Sequence, residues 1–269
     1  MGFLGLFSKG RIASNESYNF LVTAALQEEL NEFYKLDPSF SKQERMEGDC
    51  YLISFRFNEN TIKILTYSAD KMGMPFNAAA IMRIINIHQP FYTLFIGTCA
   101  NIGKKITLGD VLIPRRTFSY ESGKYEDGQF KPDYNVYETG ETLHKQASNL
   151  YLKINSKLKY KVLLDVDFSS GGAVIDDENI RTEIEKRGGR KVAGLDMEAY
   201  SIGCINHILK PRNELLVIKG ISDFARKKSG AERKGYKELA RKNAAEYSFE
   251  LIKHLVKNVL VTPAEGIKI

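Results

Sequence analysis

The sequence predicts an α/β protein, a sandwich of helices around a mixed β-sheet. Three observations point there. Short apolar runs rich in β-branched and aromatic residues alternate with longer amphipathic segments along the whole chain. Several of those runs are apolar at most positions rather than at alternate ones, as strands covered on both faces are. Each such run then hands over to small or acidic residues.

The elements follow in order. NFLVTAAL (19–26) reads as a strand and QEELNEFYKL as the helix after it; DCYLISFRF and NTIKILTYS read as a strand pair. NAAAIMRIINIHQ (77–89) has helical spacing, FYTLFIGT (91–98) is a buried strand, and LGDVLIPRRTFSY continues extended. YETGETLHKQASNLYLKI (137–154) reads as a helix, KVLLDVDFSS as a strand, and DDENIRTEIEKRG as a helix. VAGLD is a short strand feeding a helix that begins near Met197, and ELLVIKGIS (214–222) is a buried strand. From AERKGYKELARK onward a long helix closes the chain, with Tyr236, Leu239, Ala240, Tyr247, Leu251 and Leu255 recurring every three or four positions.

Composition narrows the class. The chain has 269 residues, 43% hydrophobic and 27% charged, with no linker-like tract, so residues 19–269 are expected to form a single domain after a flexible N-terminal extension over 1–18. The MGFLGLF start is too short for a signal peptide, and Leu6 breaks the myristoylation pattern. No run approaches the ~18 apolar residues of a membrane span. Three scattered cysteines suit a reducing cytosol rather than a disulfide framework. The net charge of +6 permits acidic partners, but the basic, aromatic stretch 115–137 carries acids throughout, which favours a ligand-facing or subunit-facing loop over nucleic-acid binding.

In open sheets of this kind ligands bind beyond the carboxyl ends of the strands. There stand Gln27, Glu28 and Glu29; Thr98, Cys99, Ala100 and Asn101; Ser169 to Gly172; Asp196, Met197 and Glu198; and Ser222 with Asp223. Taken singly, these are caps and turns: Asp196 is an N-cap candidate and Glu198 a first-turn acid. Together they bring acids from separate strands to one crevice, which suits chemistry on a cationic transition state. TCANIGKK is not a P-loop, because Thr98 stands where its first glycine belongs and another strand follows. Neither GxGxxG nor a Gly-x-Ser-x-Gly elbow occurs, and the four histidines lack metal-ligand spacing, so no metal or other cofactor is expected.

The set QEEL, IGTCANIGKKITLGDVLIP, SSGGAVI, GLDMEAYSIG and VIKGISDFA, in this order over roughly residues 19 to 258, resembles the nucleoside phosphorylase superfamily. It is most similar to the methylthioadenosine/S-adenosylhomocysteine nucleosidase branch. The resemblance implies a three-layer α/β/α sandwich with a central mixed sheet and a homo-oligomer, most often a dimer; the cysteine usage adds the expectation of a cytoplasmic enzyme. By the same resemblance Asp223 protonates the purine at N7, Ser222 orients it, and Glu29 activates the attacking water. Glu198 holds ribose hydroxyls, Met197 packs on the sugar, Thr98 lies near the nucleophile, and Cys99 is expected among the substrate contacts. The backbone at Ile175, after Ala173 and Val174, reads the purine edge, and Asp196 caps the helix presenting Glu198. The implied substrate is a purine nucleoside or nucleotide, adenine-bearing, cleaved at its N-glycosidic bond.

Hexameric phosphorylases of the superfamily carry a phosphate-binding arginine where this chain has Phe95, so hydrolysis is the expected outcome. A phosphate-dependent phosphorylase and a non-catalytic purine sensor on the same fold are the alternatives. Three departures stand out: the GTCAN turn, Gly172 in place of an acid, and Val174 in place of an aromatic. The basic run of Arg226, Lys227, Lys228, Arg233 and Lys234, with Arg115 and Arg116, is read as contacts for a 5′-phosphate, with a solvated loop as the alternative.

Overall fold

The computed structural model describes residues 18–103, 106–210, 212–226 and 231–260. The expected N-terminal extension therefore lies, apart from Tyr18, outside the described residues. Tyr18 is itself buried, with its ring edge-on to His88.

The strands are β1 (Phe20–Ala24), β2 (Glu44–Arg45), β3 (Tyr51–Phe57), β4 (Asn60–Ser68), β5 (Tyr92–Asn101), β6 (Val111–Ser119), β7 (Gly123–Glu126), β8 (Gln129–Pro132), β9 (Val136–Glu138), β10 (Val162–Ser170), β11 (Val192–Asp196) and β12 (Glu214–Asp223). The helices are α1 (Gln27–Tyr34), α2 (Met74–His88), α3 (Glu141–Ile154), α4 (Glu178–Gly188), α5 (Ala199–Leu209) and α6 (Ala231–Leu255). Local chemistry sets several of their ends. Pro75 opens α2, the Asp177 carboxylate accepts from the N–H groups of Asn179 and Ile180 at the start of α4, and Gly189 at φ 84° closes it.

Ten strands form one mixed sheet in the order β11-β10-β6-β12-β5-β1-β4-β3-β2, with β9 beside β6. The central strands β12, β5, β1 and β4 run parallel. Side chains alternate across them as strand geometry requires. On β1, Phe20, Val22 and Ala24 face a core shared with α1 and α6, whereas Leu21 faces a core shared with α2 and α5. The layers are thus helix, sheet, helix, as the sequence predicts.

At one end the sheet closes on itself. The last residues of β5 turn onto β11, pairing Ala100 with Leu195 and Asn101 with Gly194. With β11–β10, β10–β6, β6–β12 and β12–β5 already paired, these strands make a continuous ring. Gly194 makes the closure fit, because a Cβ there would lie 2.3 Å from the Phe168 ring.

Two boundaries depart from the sequence reading. The helix expected from 137 begins at Glu141, because Val136–Glu138 pair with β6 instead. Within 115–137, read as a loop, β7 and β8 form a hairpin about Asp127 and Gly128, at φ 52° and 75°. Asp-Gly is the dipeptide that such a two-residue turn favours.

Candidate active site

At the carboxyl ends of β1, β5, β11 and β12 a pocket is lined by Glu29, Thr98, Cys99, Asp196, Met197, Glu198, Ser222 and Asp223. Ala173, Val174 and Ile175 form another wall, with Leu26, Met72 and Lys237 also on the lining. The structure therefore gathers the residues expected for catalysis and for base and ribose contacts in one place.

Asp196 ends β11, and its carboxylate accepts from the N–H groups of Glu198 (3.2 Å) and Ala199 (3.0 Å) and from the Ser170 hydroxyl (2.7 Å). It thereby caps α5 and fixes the turn that carries Glu198. The Glu198 Oε1 accepts from the Gly73 N–H at 3.0 Å, which ties it to the start of α2.

Between the two acids sits Lys219, 1% exposed on β12, with its Nζ 3.3 Å from Asp196 and 3.5 Å from Glu198. The same ammonium lies 4.4 Å from the Phe95 ring centroid. Burial alone lowers a lysine pKa, but Asp196, Glu198 and Glu29 outweigh it and hold Lys219 above its ordinary value. Burial raises the Glu198 pKa, Lys219 opposes the rise, and Asp196 adds to it, for a net upward shift.

Glu29 enters from the first turn of α1. Its Oε1 accepts from the Thr98 N–H at 2.8 Å and the Thr98 hydroxyl at 3.2 Å. This approach depends on Gly97, where a Cβ would stand 2.6 Å from that same oxygen. On β12 the Ser222 hydroxyl donates to the Cys99 carbonyl (3.3 Å) and to Asp223 Oδ2 (3.1 Å), while Asp223 Oδ1 accepts from the Ala225 N–H at 2.9 Å. Cys99 itself is no thiolate: burial, reinforced by Asp196, pushes its thiol well above the usual range.

The wall at 171–175 is clamped by the turn after β6. The Glu121 carboxylate accepts the Gly172 N–H through both oxygens at 3.0 Å, and the Tyr120 hydroxyl donates to the Ala173 carbonyl at 3.5 Å. Gly171 accommodates the Tyr120 ring, which a Cβ would meet at 2.1 Å. An acid from β6–β7 thus stands beside the position where Gly172 departs from the family pattern. Val174 is 58% exposed at the pocket edge.

The expected phosphate contacts are not assembled here. Arg116 forms a two-pronged pair with Asp167 (2.9 and 2.6 Å), and Arg226 pairs with Glu178 at 3.0 Å. Neither of these, nor Arg115, lines the pocket. Lys227 and Lys228 lie outside the described residues. Among the described residues the cation on the lining is Lys237, while Lys219 lies buried against Asp196 and Glu198; neither is marked by a sequence motif. Among the described residues no group of His, Cys, Asp or Glu side chains is arranged to hold a metal ion, and no helix is long and apolar enough to cross a membrane.

Comparison with known proteins agrees with this architecture. Residues 19–257 match the model of a family described as the phosphorylase superfamily. A 5′-methylthioadenosine/S-adenosylhomocysteine nucleosidase of Buchnera aphidicola subsp. Baizongia pistaciae is 23% identical over 248 residues, 90% of this chain and 93% of that protein. The uncharacterized protein y4jS of Sinorhizobium fredii is 24% identical over 195 residues, 66% of this chain, which spans only 47% of that relative. Among solved structures, futalosine hydrolase of Helicobacter pylori has a TM-score of 0.73 at 15% identity, covering 90% of this chain and 100% of that one; the likeness is one of fold.

Proposed function

Because this chain belongs to the phosphorylase superfamily, we propose that it is an N-ribohydrolase releasing a purine base, adenine in first place, from a nucleoside or nucleotide. The observation that carries the reading is that Glu29, Glu198 and Asp223, from three separate elements, line one pocket. The nucleosidase named among its relatives supports the reaction class.

The purine lies against 173–175, with N7 toward Asp223. Asp223 donates its proton there, so that the base departs with the glycosidic electron pair as a neutral molecule; such general-acid help supplies ~10²–10⁴-fold. Ser222 holds the carboxyl in position. Positive charge builds on C1′ and the ring oxygen as the bond breaks. Glu198 accepts hydrogen bonds from the ribose hydroxyls, and Met197 packs on the sugar. Water next to Glu29 and Thr98 attacks C1′ and passes its proton to Glu29. Solvent then restores both carboxyls.

Water is favoured over phosphate because Phe95 is buried beneath Lys219 and the nucleophile's side of the pocket is bounded by the Glu29 carboxylate. An acid at that place repels phosphate. The test is base release from methylthioadenosine, S-adenosylhomocysteine, adenosine, inosine, AMP and ATP, with and without phosphate. Free base with free ribose derivative, equal in both buffers, is the expected result. Ribose 1-phosphate as product overturns hydrolysis in favour of phosphorolysis, and ligand binding without any released base overturns catalysis in favour of a sensor.

A further inference from the structure

The pocket is electrically polarised from floor to rim. Glu29, Asp196, Glu198 and Ser222 are all at least nine-tenths buried, and the one cation found at that depth beside them, Lys219, is off the lining and already paired with Asp196 and Glu198. The rim is different. Met72 is 54% and Val174 58% exposed, and both are apolar. Among the described residues the one cation on the lining is Lys237, half-buried on α6.

The position of Lys237 is structurally fixed. One turn further along α6, Arg241 forms an ion pair with Glu28 at the start of α1, the helix whose next residue is Glu29. The same helix is seated by the fully buried Ala240, Ala244 and Tyr247, and Lys237 lines the pocket from it. Among the described residues Lys237 itself makes no ion pair. An ammonium half out of water and without a carboxylate partner on a pocket rim is the feature that an anionic ligand group satisfies.

We propose that Lys237 selects substrates carrying an anionic 5′ substituent, a phosphate or a carboxylate, over neutral nucleosides. This rests on the hydrolase reading for its orientation. With the base at Asp223 and the ribose hydroxyls at Glu198, the 5′ carbon points away from both acids, toward the rim. The gradient also excludes the reversed pose, since an anion on the floor faces Glu29 and Asp223 at close range, where low dielectric strengthens repulsion. The charge proposed from the sequence for Arg115, Arg116 and Arg226 is thereby reassigned to a residue on the pocket itself.

The experiment compares AMP, adenosine-5′-carboxylate, adenosine and 5′-methylthioadenosine on the full chain, by base release and, separately, by calorimetric binding. The expected result is a preference for the two anions that weakens with added salt, as partly exposed charges do. Lys237→Glu is expected to lower the AMP-to-adenosine ratio of kcat/KM by about tenfold or more, and Lys237→Arg to keep it near wild type. Preference for AMP over the carboxylate identifies phosphate as the natural group, and the opposite order identifies carboxylate. A preference for neutral nucleosides, or a ratio indifferent to Lys237→Glu, overturns the inference. Tighter, Lys237-dependent binding of AMP with no base released from any compound leaves the anion site standing and removes the hydrolase reading instead.

Discussion

Lys219 is the residue on which the ionisation of the pocket turns. In ELLVIKGIS, positions 215, 217, 219 and 221 share one face, and that face is core. A lysine in such a register needs buried acids, and the sequence reading passed over it because its partners, Asp196 and Glu198, come from another strand end. Removing one partner of a buried ion pair leaves a charge uncompensated, so Lys219→Met is expected to cost about 3–5 kcal/mol in denaturant unfolding. Glu198 already has its pKa raised by burial, with Lys219 opposing. Without Lys219 it rises further, so the ionised form that accepts ribose hydroxyls appears only at higher pH. An acid whose folded pKa is raised favours folding below its unfolded pKa and loses that contribution as pH rises through the folded value. The stability deficit of Lys219→Met should therefore shrink toward acid, while the acid limb of kcat/KM moves upward in pH and Lys219→Arg restores it. An unmoved limb removes this role. Asp223→Asn gives the sharper kinetic test: folding measured by circular dichroism should persist, and base release should fall by at least ~10². Turnover near wild type in that variant would assign the proton to another group.

Among the elements, the buried parallel strands were the most legible part of the fold, since a run such as FYTLFIGT leaves no polar face to misread. The hairpin of β7 and β8 was missed although Asp127-Gly128 announced it; the surrounding lysines and glutamates hide the alternation in a strand pair exposed on most sides. The end of β9, Tyr137 and Glu138, reads as the start of α3 because three residues are too few to show a strand period, and only pairing with β6 decides. In the candidate site the sequence supplied the carboxylates but not their supports, the Gly73 N–H, the Glu121 clamp and the Thr98 contacts, which join residues far apart in the chain. Gly97 tests how much those supports matter. In Gly97→Ala the new Cβ falls on the Glu29 carboxylate, so activity should drop by at least ~10-fold while the far-UV spectrum stays that of the parent. Should activity survive with Glu29 displaced, water is activated elsewhere, and Glu28 is the next residue to replace.

For the whole molecule, the face of α2 and α5 is the open question of assembly. Met74, Ala78, Met82, Cys204, Ile205 and Ile208 line an apolar groove there, with Ile208 67% exposed. If the homodimer expected from the sequence forms, this groove is the surface for a second copy to cover. Light scattering of the full chain is expected to give the mass of a dimer and Ile208→Glu that of a monomer; a monomeric parent refutes the assignment. The ring of β5, β11, β10, β6 and β12 has a different consequence. Asp196, Ser170 and Asp223 stand on strands of a closed circuit, and Lys219 projects from one of them. A strand hydrogen-bonded on both sides cannot peel from an edge, so these strands open only when the circuit as a whole breaks. Their amides should be among the slowest in the protein to exchange with deuterated solvent, slower than those of the β2–β3 margin. On heating, loss of activity should coincide with global melting rather than precede it.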